Sequence, residues 1–104
     1  MPAWATIRFA RVPGVLVRQV GGDLIVAAIG QEGFEVLSPT AGDVWRLLDK
    51  PMTLEQLVET VSSTYSVAQE VIARDVEALL GHLLERGLIE SVADHLEEVP
   101  EARA

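Results

Sequence analysis

The sequence predicts an α+β fold in which three short antiparallel strands precede three helices. Three observations support this prediction. β-branched runs flank turn-prone glycines ahead of residue 38, Ser and Thr helix-start signals follow, and apolar residues then recur at helical spacing. The last helices follow one another closely enough to form a helix-turn-helix.

The predicted strands lie in the first part of the chain. Residues 15–20 and 24–29 are two β-branched runs separated by "GGD", which is typical of a hairpin. A third, very short strand is predicted at 34–37, bounded by Gly33 on one side and by Ser38 on the other. We expect it to complete a small antiparallel sheet.

Each predicted helix begins at a recognisable signal. Ser38 before Pro39 starts the first helix, because Ser can accept a hydrogen bond from a free amide and Pro at the first position has no amide to lose. "TLEQ" at 53–56 is a capping-box pattern for the second helix, and "SVAQ" at 66–69 repeats it for the third. The third helix is predicted to run up to Gly87.

The C-terminal part combines a short strand with an acidic segment. Residues 88–92 are predicted to be a strand, and "ADHLEEVPEARA" is predicted to be disordered because it is acidic and has little to bury. With 104 residues and no internal repeat, the chain has the size of one domain.

The residue types argue against an enzyme. There is no Cys, and the two histidines, His82 and His95, lie thirteen positions apart, which disfavours a zinc site. No phosphate-binding, metal or nucleophile motif appears, and no nucleophile or orienting carboxylate is placed beside His82. We expect no catalytic residue, no metal and no cofactor.

Charge and hydropathy restrict the partners. The net charge of -8 gives an average field that repels phosphate, so nucleic acid is a poor candidate. No apolar run approaches the roughly 20 residues that span a bilayer, and the N-terminus lacks a signal-peptide core. We expect a soluble, cytoplasmic protein with no membrane partner.

The order of these elements resembles a known family. A strand, "LSPTAGDVWRLLDKPMTLEQLVETV", "YSV" and "DVEALLGHLLERGLIE" together look like the PqqD family over residues 15–90. These are small peptide chaperones, also called RiPP recognition elements, of the biosynthesis of ribosomally made, post-translationally modified peptides. The chain has Ser38 where the family often has Asn, and Phe34 as its one aromatic residue just before it. Its size resembles the standalone leader-binding proteins of lasso-peptide clusters.

The resemblance implies both an architecture and a function. Three antiparallel strands would pack on a winged helix-turn-helix-like trio of helices. The chain would divide into an N-terminal extended arm (1–14), a PqqD-like peptide-binding domain (15–92) and the acidic tail (93–104). The third strand and third helix would form a groove that receives the leader segment of a precursor peptide as an added strand. The protein would then deliver the precursor to a maturation enzyme, a leader protease in a lasso-type pathway.

The predicted peptide-binding residues lie on the third strand and on one face of the third helix. They are Phe34, Glu35, Val36, Leu37, Ile72, Asp75, Val76, Leu79, His82 and Leu83. By family analogy Asp75 would pair with a basic leader residue, with a solvated charge as the alternative. Helical stripes are ordinarily buried, so Val76 and Leu83 are also expected to be core. Trp45 and Tyr65 are expected to be core side chains rather than a stacking surface.

Two other functions fit the pattern of elements. A winged-helix DNA-binding regulator has a similar helix arrangement, and a general protein–protein adaptor is a broader alternative. DNA binding needs an outward basic face on the third helix. That helix instead carries two arginines against four carboxylates, namely Arg74 and Arg86 against Glu70, Asp75, Glu77 and Glu85.

Overall fold

The computed structural model describes residues 7–93. This part of the chain forms three helices and two antiparallel sheets with the strand orders β5–β1–β6 and β2–β3–β4. The elements are β1 (Ile7–Arg11), β2 (Leu16–Val20), β3 (Asp23–Ala27), β4 (Glu35–Leu37), α1 (Pro39–Leu47), β5 (Met52–Thr53), α2 (Leu54–Tyr65), α3 (Gln69–Glu85) and β6 (Ile89–Ala93). Among the described residues, no helix is both long and apolar enough to cross a membrane.

The β2–β3–β4 sheet is the one that the sequence predicts. β2 and β3 form a hairpin in which Val20 pairs with Asp23 across Gly21 and Gly22. Gly21 has φ 61°, which a side chain disfavours, and this explains the glycine at the first central position of the turn. β4 pairs with the other side of β3, with Val36 opposite Ile25. The predicted α+β class is confirmed.

The second sheet corrects the prediction of a single three-stranded sheet. β1 lies in the segment expected only as an extended arm, and it pairs with β6 from Ile7↔Ala93 to Arg11↔Ile89. On its other side β1 pairs with the two-residue β5. These partners are far apart in sequence, so local patterns do not reveal the pairing. The division into arm, domain and tail stays a prediction, and residues 94–104 of the predicted tail lie outside the described part.

Two helix starts agree with the sequence. The Ser38 side chain accepts a hydrogen bond from the Ala41 amide, and Pro39 is the first residue of α1. At α2, the Gln56 amide donates to the Thr53 hydroxyl at 3.1 Å, and the Thr53 amide donates to the Gln56 side chain at 3.0 Å. The second pair forms the predicted capping box.

The start of α3 differs from the prediction. Ser66 does not cap α3; it ends α2 in a left-handed conformation with φ 54°. The Ser62 hydroxyl donates to the carbonyl of Val67 at 2.6 Å, which stabilises this turn. Ala68 therefore stands at the N-cap of α3, and no side chain caps that end. The capping box predicted at 66–69 is wrong because Ser66 terminates the preceding helix α2.

The C-terminal end of α3 follows the sequence closely. Gly87 has φ 72°, and its amide donates to the Leu84 carbonyl. The Leu88 amide donates to the Leu83 carbonyl at 3.0 Å, which completes a Schellman motif. The turn directs the chain into β6, so the predicted C-terminal strand is confirmed.

The core lies between the helices and the inner sides of β3, β4 and β6. Trp45 is 1% exposed, as expected for a core residue. The other buried apolar side chains are Leu24, Val26, Leu37, Val44, Leu48, Leu57, Val58, Val61, Ile72, Val76, Leu80, Leu83, Leu88 and Ile89. This core holds β4 and α3 in a defined relation to one another.

Candidate functional site

The direction of the backbone groups of β3 follows from the hairpin turn. Val20 and Asp23 pair across a two-residue turn, so they form a hydrogen-bonded pair. Such pairs alternate with non-hydrogen-bonded pairs along antiparallel strands. Leu24 and Val26 therefore direct their N–H and C=O groups away from β2 and toward β4.

Val36 consequently presents its backbone at the outer edge of the sheet. Glu35 and Leu37 pair with the two β3 residues whose backbone groups point to β4. The N–H and C=O groups of Glu35 and Leu37 therefore hydrogen-bond to β3. The intervening Val36 directs its N–H and C=O the other way. β4 ends its sheet among the described residues, and the Val36 side chain is 55% exposed. The outer edge of β4 thus offers a donor and an acceptor to an added strand.

Three side chains join β4 to the end of α3, and we name them the Glu35 clasp: Glu35, His82 and Arg86. One carboxylate oxygen of Glu35 lies 2.6 Å from His82 Nε2, which donates because a carboxylate can only accept. The other oxygen lies 2.7 Å from Arg86 Nε. Both oxygens of Glu35 are therefore occupied from α3.

The clasp perturbs the acidity of Glu35. The hydrogen bond with His82 lowers the pKa of the Glu35 carboxyl below its ordinary value of 4.5, and the positive charge of Arg86 acts in the same direction. Partial burial opposes this shift without reversing it. Glu35 is consequently ionised at neutral pH and remains available as the acceptor in the clasp.

An apolar groove lies next to the point where β4 passes into α1. It has a volume of about 510 Å³ and lies between the first part of α1, the end of α2 and the part of α3 from Val71 to Leu79. Its lining residues are Ser38, Thr40, Ala41, Val44, Tyr65, Val67, Val71, Ile72, Asp75, Val76 and Leu79. Seven of these side chains are aliphatic, and Asp75 is the one charged side chain among them. The groove suits an apolar side chain with a basic group beside it.

The structure separates the ten predicted site residues into four sets. Four of them line the apolar groove: Ile72, Asp75, Val76 and Leu79. Glu35 and His82 contact each other in the clasp. Phe34, which precedes β4, and Val36 within it are exposed. Leu37 and Leu83 are buried in the core. Binding of a peptide by any of the ten stays a prediction.

Several groove residues were not predicted from the sequence. Val71 precedes Asp75 and Leu79 by one and two helical turns, so extending the predicted face toward the start of α3 would have included it. The α1 residues Thr40 and Ala41 carry no such signal, because their place beside α3 depends on how the helices pack. Local periodicity therefore identified one side of the groove and not the other.

Tyr65 differs from its predicted core role. Its side chain is 40% exposed and lines the apolar groove. Its hydroxyl donates a hydrogen bond to the Asp43 carboxylate, which joins the end of α2 to α1. That hydrogen bond raises the pKa of the Tyr65 phenol above its ordinary value of 10.0. Tyr65 thus contributes an aromatic side chain to the rim of the groove.

Sequence comparison shows the family. The family described as Coenzyme PQQ synthesis protein D (PqqD) matches residues 24–89, which is more than half of the chain. The chain belongs to the PqqD family, and the resemblance inferred from its sequence is confirmed. Members of this family are non-catalytic peptide-binding domains, in agreement with the prediction that the chain is not an enzyme. No curated protein matches the chain.

Solved structures show the same fold. TbiB1 in complex with the TbiA(beta) leader peptide is similar with a TM-score of 0.71 and 21% identity, over 82% of this chain and 99% of TbiB1. The PqqD truncation of Methylobacterium extorquens PqqCD, a stand-alone RiPP recognition element, has a TM-score of 0.67 and 24% identity. That match covers 80% of this chain and 88% of the truncation. The fold is therefore that of a RiPP recognition element.

Proposed function

We propose that this chain binds the leader segment of a ribosomally synthesised precursor peptide by strand addition to β4. The outward N–H and C=O of Val36 carry the proposal, because an unpaired edge next to a groove is the arrangement used in β-augmentation. Similarity to TbiB1, whose structure contains a leader peptide, supports the same function.

The groove is needed because the β4 edge is short. Each backbone hydrogen bond contributes a net of about 0.5–1.5 kcal/mol, whereas micromolar binding requires about 8 kcal/mol. Burying one large apolar side chain contributes about 1.5–3 kcal/mol. The aliphatic residues of the groove, including Ile72 and Leu79, supply this contribution, and Asp75 favours a basic residue nearby.

The predicted residues divide by role in this proposal. Phe34 and Val36 contact the guest from the sheet, and Ile72, Asp75 and Leu79 contact it from the groove. The other five support these contacts. Leu37, Val76 and Leu83 pack beneath them in the core, and Glu35 and His82 belong to the clasp.

The bound leader brings the precursor to a maturation enzyme. Holding an otherwise disordered leader raises the concentration of the precursor at that enzyme. We propose a leader protease of a lasso-type pathway as the enzyme, because the sequence resembles the leader-binding proteins of lasso-peptide clusters. We also propose a cytoplasmic location and a winged helix-turn-helix relation among the helices. Neither bears on how the leader is held.

Fluorescence polarisation tests the proposal. The probe is a labelled synthetic peptide that spans the N-terminal half of the precursor encoded by the nearest short open reading frame. Saturable binding at micromolar concentration in physiological salt, lost when the peptide is scrambled, is the expected result. Absence of binding would contradict the proposal. A duplex DNA probe run in parallel would favour the DNA-binding alternative if it bound with a steep dependence on salt.

A further inference from the structure

The Glu35 clasp fastens a short stretch of chain to one turn of α3. His82 and Arg86 are four residues apart, so they lie on the same face of the helix. Both contact Glu35, at 2.6 and 2.7 Å. Arg86 Nη2 also donates to the carbonyl of Glu32 at 3.3 Å. The end of α3 thus holds the chain at the entry to β4 and just before it.

β4 needs such an attachment because its own strand pairing is limited. The strand has three residues. Because hydrogen-bonded and non-hydrogen-bonded pairs alternate, Glu35 and Leu37 are the β4 residues that hydrogen-bond to β3. The preceding segment includes Gly30 and Gly33, both with positive φ, and is not part of a helix or strand. Short strands that follow irregular segments open readily.

The carboxylate at the centre of the clasp is also poorly placed for direct contact with a guest. The side chain of Glu35 is 20% exposed, and each of its carboxylate oxygens already has a partner. Glu35 projects to the side of the sheet that carries the buried Leu37, opposite to Val36. A strand added at the outer edge would meet the backbone of Val36 before it met this carboxylate.

We propose that the Glu35 clasp is a positioning device that holds the outer edge of β4 at a fixed distance from α3 before a leader arrives. This inference rests on the proposed function. An ordered edge lowers the entropy lost on binding, because the guest does not have to order β4 as well. Glu35, His82 and Arg86 are thus positioning residues, which act through β4 rather than by contact with the guest.

A double-mutant cycle separates positioning from direct contact. The variants are Glu35→Ala, His82→Ala and the combination of both, assayed with the leader peptide probe by fluorescence polarisation. If the two side chains act as one clasp, each single change weakens binding about fivefold and the pair weakens it by about the same factor. Independent contacts with the guest would instead multiply to about 25-fold, and that result would overturn the proposal.

Hydrogen exchange tests the clasp without any guest. In the unliganded protein, mass spectrometry of a peptide covering residues 32–38 should show about fivefold faster amide exchange in Glu35→Ala, with the overall fold retained. Unchanged exchange would overturn the proposal. Glu35→Gln keeps the shape of the side chain and replaces Glu35→Ala if that variant unfolds.

Glu85→Gln is the matched control. It removes one negative charge from an exposed position on the same helix and should leave both exchange and binding unchanged. Failure of the wild-type protein to bind any leader probe would contradict the proposed function. In that case the hydrogen-exchange comparison alone would judge whether the clasp orders β4.

Discussion

The two outer strands of the β2–β3–β4 sheet have unpaired edges of different character. β4 has three residues, is joined to α3 through the Glu35 clasp and leads directly into the apolar groove. β2 has five residues, all exposed, and Arg46 on α1 donates a hydrogen bond to the Gln19 side-chain oxygen at 3.1 Å. The shorter edge is therefore the one that adjoins the apolar groove and is joined to α3.

In the proposed function, an unpaired edge is not by itself sufficient for binding. Both strands present backbone groups, and Val17 of β2 lines a pocket of about 320 Å³. β4 differs because it combines its edge with the Glu35 clasp and leads into the larger, mainly aliphatic groove. Main-chain hydrogen bonds supply affinity without selectivity, and pockets supply the selectivity. We expect substitutions at the two edges to have very different effects.

The largest expected effect is that of Val36→Pro. Proline removes the outward amide of β4 without removing a hydrogen bond to β3, so leader affinity should fall about tenfold or more. Val17→Pro is the matched control, because the same alternation of pairs places the Val17 amide at the outer edge of β2. Both variants are first shown to be folded by circular dichroism. Their leader affinities are then compared by polarisation titration. Equal losses would mean that β4 is not the preferred edge.

A smaller, selective effect is expected for Asp75→Ala. Asp75 is the charged side chain of the apolar groove, so its loss should weaken a leader with a basic residue about threefold and leave a Lys→Ala or Arg→Ala leader unaffected. The measurement is the dissociation constant for the two peptides. Glu77→Ala, an exposed carboxylate on α3 outside the groove, should change neither. Equal weakening of both peptides would indicate structural damage.

Acid should loosen β4 before it unfolds the protein. The pKa of Glu35 is lower in the folded protein than its ordinary value of 4.5, so its contribution to stability is present above that value. The contribution is lost as the pH falls through the lower, folded-state pKa. Melting temperatures of the wild type and Glu35→Gln should therefore differ at neutral pH and converge as the pH falls below 4.5 and through the lowered pKa. A difference in melting temperature between the two proteins that persists at acid pH would argue against an ionised Glu35 in the clasp.

The smallest expected effect concerns Tyr65. The hydrogen bond to Asp43 raises the pKa of its phenol, so the contribution of this bond to stability is present below pH 10.0 and is lost as the pH rises through the raised value. Tyr65 is the one tyrosine of the chain, so an absorbance titration reports it directly. Asp43→Asn should move the titration midpoint of the Tyr65 phenol back toward its ordinary pKa of 10.0. No movement would mean that the hydrogen bond does not form in solution.

Much of the fold could be predicted because its signals are local. The Gly21-Gly22 turn, the caps at Ser38 and Thr53 and the Gly87 terminus each depend on hydrogen bonds between residues close in sequence. The candidate site was predicted in part for the same reason, since Ile72, Asp75, Val76 and Leu79 share a helical face by spacing alone.

The sequence by itself determined the hairpin, the helices, most of the core and the family. Tertiary structure decided that β1 pairs with β6, that Ser66 ends α2, that Tyr65 lines the groove and that Glu35 contacts His82. Each of these depends on residues that are distant in sequence or on competition between neighbouring elements. Short-range patterns encode turns, caps and amphipathic faces, whereas the partner of an edge strand or a carboxylate is chosen only when the whole chain packs.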